Sequence, residues 1–162
     1  MDHRTNTVYV DFRGLNDRTA YFLELFIRAK GLIPKRISFD KFQSQIPPAV
    51  IFRAVQVEGL WPTLNYIQDI IRYPDLMPDT PGKRGLVSTL VSQLLAGLIS
   101  PDQFEELYHP EAGPFMNGAT EPNLLDLALA ASCYGRRDLP YYALRVSTGV
   151  LKHLEKKYES AL

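Results

Sequence analysis

This chain is poor in the side chains that build most reactive centres: one cysteine, three histidines and one tryptophan in 162 residues. A single thiol excludes an intramolecular disulfide and points to the cytoplasm or another reducing intracellular compartment. Cys133 follows directly on the apolar run Leu127–Ser132, where an inert buried thiol is expected rather than a nucleophile. The histidines are scattered, and neither HxxxH nor CxxC occurs, so no metal site is indicated. Charge of one sign is also lacking, with 18 Lys and Arg against 18 Asp and Glu. No broad field therefore favours nucleic acid or an anionic membrane as partner. The basic cluster Lys152, His153, Lys156 and Lys157 is interleaved with Glu155 and Glu159 and reads as a solvated helix face.

Long hydrophobic runs are missing too. The longest uncharged stretch, Gly85–Pro101, contains Ser88, Thr89, Ser92 and Gln93 and is short for a membrane span, so it reads as a buried helix. Asp2, Asp11 and Asp17, with no leading apolar segment, argue against a signal peptide. No GxSxG, Walker A or GxGxxG motif occurs. Where a thioredoxin-type exchange would need CxxC, the chain has Phe12–Leu15.

What is present is 46% hydrophobic residues, enough for one compact unit or two small subdomains sharing a core. Thr7–Phe12 alternates Val8, Val10 and Phe12 against Thr7, Tyr9 and Asp11, the period of a half-buried strand. Asn16 or Asp17 can cap the following helix and Gly31 can end it. Within it, Phe22, Leu25, Phe26 and Ala29 form one stripe, and Glu24 and Arg28 have the spacing of an ion pair. Ile33–Phe39 is a second strand, which makes a βαβ unit. Residues 46–57, IPPAVIFRAVQV, read as one long strand or two short ones, with the turn unplaced.

Thr63–Arg72 is expected as a short helix burying Leu64, Ile67, Ile70 and Ile71. YPDLMPDTPG (73–82), with Pro74, Pro78, Pro81 and Gly82, marks a linker. Beyond it the pattern is helical. Leu86, Leu90, Leu94 and Leu98 form one apolar face, flanked by Val87, Val91 and Leu95. Ser100–Gln103 has capping-box spacing ahead of a helix reaching about Tyr108. Residues 109–122 read as loop, Asn123 and Asp126 cap another helix, and a last helix starts near Pro140. It should turn Leu144, Val150 or Leu151, and Leu154 inward. The expected architecture is an α/β N-terminal domain (1–74), a linker (75–82) and an all-α C-terminal domain (83–162).

Four stretches carry a family resemblance in chain order: TVYVDFRG (7–14), SQIPPAV (44–50), LWPTLNYIQDIIRYPDLMPDTPGKRG (60–85) and PNLLDLAL (122–129). Together they resemble the cytosolic glutathione transferases, including the stringent starvation protein A relatives. That family joins a thioredoxin-like domain to a helical one. The resemblance implies a glutathione site at Gln45, Ile46, Pro47 and Thr63, with Tyr9 as catalytic hydroxyl if the protein is active. Glutathione is the only ligand implied, and no other cofactor. In such enzymes the thiolate is the nucleophile, and a donating hydroxyl lowers the thiol pKa at about 1.4 kcal/mol per unit. A cis proline in the Gln-x-Pro loop, here Pro47 or Pro48, turns the preceding backbone toward the cysteinyl peptide of glutathione. Thr63 at a helix start would suit the γ-glutamyl carboxylate.

The sequence departs from the family in three places. Leu15 stands where a second arginine helps hold glutathione. Pro62–Thr63 matches the usual Glu-Ser or Gln-Ser pair at the start of the third helix. The second helix of the C-terminal half is cut to Pro101–Tyr108. The first reading is accordingly a non-catalytic protein-interaction or assembly module with a decayed glutathione site and a protein partner. The alternative is a small transferase conjugating glutathione to apolar electrophiles. The apolar surface of Leu86–Leu98 must be covered internally or by a homodimer.

Overall fold

The structure, a computed structural model, describes residues 6–38, 46–78, 80–107, 122–136, 138–139 and 141–161. The N-terminal half opens with β1 (Thr7–Asp11), α1 (Asp17–Ala29) and β2 (Ile33–Arg36), with β1 and β2 parallel. β3 (Ala49–Phe52) and β4 (Val55–Glu58) follow as an antiparallel hairpin, and α2 (Leu60–Ile70) closes the half. The sheet order is β2-β1-β3-β4. The alternation read in β1 holds through Val10, with Val8 and Val10 fully buried and Tyr9 between them half-buried, and breaks at Asp11, which is buried.

The turn that the sequence left unplaced is Arg53–Ala54, both with positive φ (50° and 64°). Two left-handed residues give the turn twist that a two-residue hairpin favours. Neither is glycine or asparagine, so the usual sequence mark is missing. Helix α1 is capped by Asn16, whose side chain accepts from the Thr19 N–H. The expected stripe is buried, but so are Leu23 and Ile27, because α1 also packs on the C-terminal helices. Glu24 and Arg28 form no ion pair with one another; both line a cleft beside α1.

The helical half comprises α3 (Pro81–Ala96), α4 (Pro101–Leu107), α5 (Leu124–Ser132) and α6 (Tyr141–Ala161). The capping box read at Ser100–Gln103 is formed, and the caps read at Asn123 and Asp126 prove to be a second one. Ser100 N–H donates to Gln103 Oε1 at 2.9 Å while Gln103 N–H donates to Ser100 Oγ at 3.2 Å. Asn123 and Asp126 make the same reciprocal pair at 2.9 and 3.0 Å. All of α5 is buried, with α1, α3 and α6 packed around it.

Two apolar faces are only partly those expected. On α3 the buried line is Val87, Val91, Leu94 and Leu95, while Leu86 and Leu98 are exposed. On α6 it is Ala143, Val146, Val150 and Leu154: Val150 and Leu154 face inward as expected, whereas Leu144 and Leu151 are about half exposed. In both helices apolar residues occur on more than one side, so contact with α5, not the pattern alone, selects the face.

The segment between the halves is tied down. Leu76 is buried, and its carbonyl accepts from the Leu124 N–H that opens α5 (2.9 Å). Lys30, buried at the end of α1, donates to Gln68 Oε1, Ile71 O (3.0 Å) and Pro74 O (2.5 Å). At the other end of α1, Asn16 Nδ2 and Arg18 Nε both donate to Leu95 O at 3.1 Å, holding the C-terminus of α3. A positive side chain there also complements the negative end of the helix dipole.

Candidate functional site

Two of the family-like stretches, 7–14 and 44–50, meet at the end of β1, beside the start of α2. Asp11 is buried, and its carboxylate accepts from the Arg13 backbone N–H (3.1 Å), from Nε (2.9 and 3.0 Å) and from Nη2 (2.5 Å). This fixes the turn into Gly14, which has φ +88° and lies directly against the Pro47 ring. The chain returns through Ile46 and Pro47, and Pro48 O accepts from the Gly59 N–H (2.9 Å), joining the loop to the start of α2.

The cis bond is Pro47–Pro48, which settles the choice between the two prolines. The residue before the cis proline is thus itself a proline.

Thr63 is not at a helix start. Helix α2 begins three residues earlier than the sequence suggested, with Gly59 as its cap. Proline is tolerated in the first helical turn, so Pro62 sits inside the helix instead of before it. Thr63 is wholly buried and its hydroxyl donates to Gly59 O (2.7 Å). The residues at the true helix start are Gly59 and Leu60, not Pro62 and Thr63, and neither has a polar side chain.

Tyr9 stands in the middle of β1, paired with Lys35 on β2 and Ile51 on β3. The Lys35 ammonium lies 5.8 Å from its ring centroid. No hydrogen bond reaches the Tyr9 hydroxyl among the described residues. Helix α2 rests on the Phe52 face, where Tyr66 makes an edge contact with Phe52 and donates to its carbonyl (2.9 Å). By strand alternation Tyr9 projects from the opposite face. Tyr9 thus stands in the sheet, Pro47 in the loop against Gly14, and Thr63 inside α2. Leu15 and Trp61 pack partly buried against the core. Ile46 is exposed, and Gln45 lies outside the described residues.

No protein-family model matches the sequence, and no curated protein matches it. Solved structures do match, over nearly the whole chain. A glutathione S-transferase from Legionella pneumophila is similar over 96% of this chain and 97% of its own, with TM-score 0.56 and 13% identity. A maleylacetoacetate isomerase from Anaeromyxobacter dehalogenans, solved with GSH bound in its active site, matches over 96% and 95% with TM-score 0.61 and 17% identity. A maleyl pyruvate isomerase described as a bacterial zeta-class glutathione S-transferase matches over 96% and 98% with TM-score 0.63 and 14% identity. The chain has the glutathione transferase fold.

For a protein of that fold, two features were invisible in the sequence. One is the glycine start of α2. The other is a cleft of about 430 Å³ between α1 and α6, whose walls include Tyr21 and Glu24 from α1 and Glu155 from α6. Tyr21 stacks on Tyr134 at 4.6 Å, and burial, then the Glu24 carboxylate, raises its pKa. A second cleft of about 430 Å³, lined by Asp69, Arg72, Asp75 and Arg84 among others, adjoins the segment between the halves. The Cys133 thiol is buried, and that burial raises its pKa, as suits an inert core residue. Among the described residues no three His, Cys, Asp or Glu side chains gather as a metal site, and no helix is long and apolar enough to cross a membrane.

Proposed function

We propose that this glutathione-transferase-fold protein does not conjugate glutathione and works as a protein-interaction or assembly module. The observation that carries the reading is the start of α2. Gly59 and Leu60 offer no side chain to hold the amino or carboxylate group of a glutathione γ-glutamyl moiety. One further loss supports it: Leu15 has no charge where the family keeps a second arginine. Hydrogen bonds to charged groups contribute about 1.5–3 kcal/mol each. Losing two or more would turn a micromolar affinity, about −8.2 kcal/mol, into a millimolar one or none. Calorimetric titration with glutathione tests the reading. No saturable heat is expected below millimolar concentration, and micromolar binding would overturn it.

One observation favours a second reading, a small transferase acting on apolar electrophiles. The Tyr9 hydroxyl has no partner among the described residues, and the nearby Lys35 cation would favour an anion such as a thiolate. A chromogenic conjugation assay separates the two. Equal background rates for wild type and Tyr9→Phe fit the interaction module, and a rate above background that drops about tenfold in Tyr9→Phe fits the transferase.

A further inference from the structure

Among the described residues, the cleft between α1 and α6 combines an apolar floor with carboxylates that have no partner. Leu25 and Leu154 form its base, and Leu151, about half exposed, extends that base outward along α6. Glu24 and Glu155 come from the two helices, and neither carboxylate has an ion-pair or hydrogen-bond partner among the described residues. Arg28 also lines the cleft but already has a partner of its own. The Tyr21 ring adds aromatic surface, continued outward by the stacked and exposed Tyr134. The exposed Leu144 stands on α6 two turns before Leu151. The second cleft, by contrast, balances Asp69 and Asp75 with Arg72 and Arg84 and so prefers neither sign.

We propose that the α1–α6 cleft is the docking groove for a basic amphipathic helix of a partner protein. A groove between two helices accepts a third by taking apolar anchors at i, i+3, i+4 and i+7 spacing. Apolar side chains would enter over Leu25, Leu151 and Leu154, with lysine or arginine beside them meeting Glu24 and Glu155. Tyrosine at such a surface supplies large contact area at low entropic cost, as in energetically dominant interface residues. This inference rests on the interaction-module reading and names the surface that it uses.

The probes are a labelled amphipathic helix of leucine and lysine and its counterpart with glutamate at every lysine, followed by fluorescence anisotropy at physiological salt. Wild type is expected to bind the lysine peptide at least about tenfold more tightly than the glutamate peptide. The charge-reversed Glu24→Lys/Glu155→Lys protein should invert that order, and Leu151→Ser should weaken both. Asp69→Lys, in the second cleft, should leave the preference unchanged, and circular dichroism verifies that each variant is folded. Equal binding of the two peptides, or an Asp69→Lys effect as large as the double reversal, would overturn the groove. A protein that bound glutathione at micromolar affinity yet still sorted the peptides by charge would overturn the function reading and leave the groove standing.

Discussion

Gly14 and Pro47 are in direct contact: a Cβ placed on Gly14 would lie 2.8 Å from Pro47 Cγ and 3.3 Å from Cβ of the same ring. The ring is stiff and is followed by Pro48, which leaves it little room to move aside. Gly14 also has φ +88°, where a side chain is strained even with space available. Gly14→Ala should therefore destabilise the fold by about 2 kcal/mol or more, combining left-handed strain with overpacking. Thermal unfolding of the purified variant checks this, with a fall in Tm of several degrees expected.

The β3–β4 hairpin predicts the opposite outcome. Ala54 has φ 64° without the freedom of glycine. Ala54→Gly should stabilise by about 0.5–1 kcal/mol, since a left-handed alanine costs about 1–2 kcal/mol and glycine returns part of that as unfolded-state entropy. The urea midpoint should rise while the slope stays unchanged.

Lys30 satisfies two backbone carbonyls and Gln68 from a buried position. Lys30→Met keeps much of the stem volume and removes the donors. It should destabilise by about 1–3 kcal/mol, because buried acceptors are left unmet. Hydrogen exchange should speed up in residues 71–78 before it does in β1, a pattern that a loss of packing alone would not give.

Alkaline pH should weaken the fold. Burial raises the Cys133 thiol above its ordinary 9.0 and raises Tyr21 above 10.0. Both groups hold their proton more tightly in the folded state, so their contribution is complete below the ordinary values and is lost as pH climbs through the raised ones. Cys133→Ala should flatten the decline that begins near pH 9 in a plot of unfolding midpoint against pH. In the native protein the thiol should resist alkylation at neutral pH and react once the chain is unfolded.

Much of the fold was legible because its signals are local. The alternation in β1 as far as Val10, the Asn16 cap and the boxes at Ser100 and Asn123 need only neighbours within four residues, and all are formed. What the sequence hid depends on distant contacts or on unusual residues in ordinary roles. Arg53–Ala54 makes a turn normally marked by Asn-Gly. Pro62 reads as a helix boundary but occupies the first turn. The inward faces of α3 and α6 are chosen by α5. The start of α2 was hidden for the same reason. Thr63 has the right chemistry for a helix start, yet one turn of offset buries it and puts Leu60 in its place.

The buried Leu76 gives the proline-rich segment a meaning that its composition conceals. Such a stretch looks like the natural place to cut, graft or exchange modules. Its leucine is part of one buried cluster that includes residues of both halves, and its carbonyl caps the first N–H of α5. A chimera that took one half from a relative would have to bring this segment and a matching α5 along with it. A cut at this segment would therefore divide a shared core rather than separate two modules.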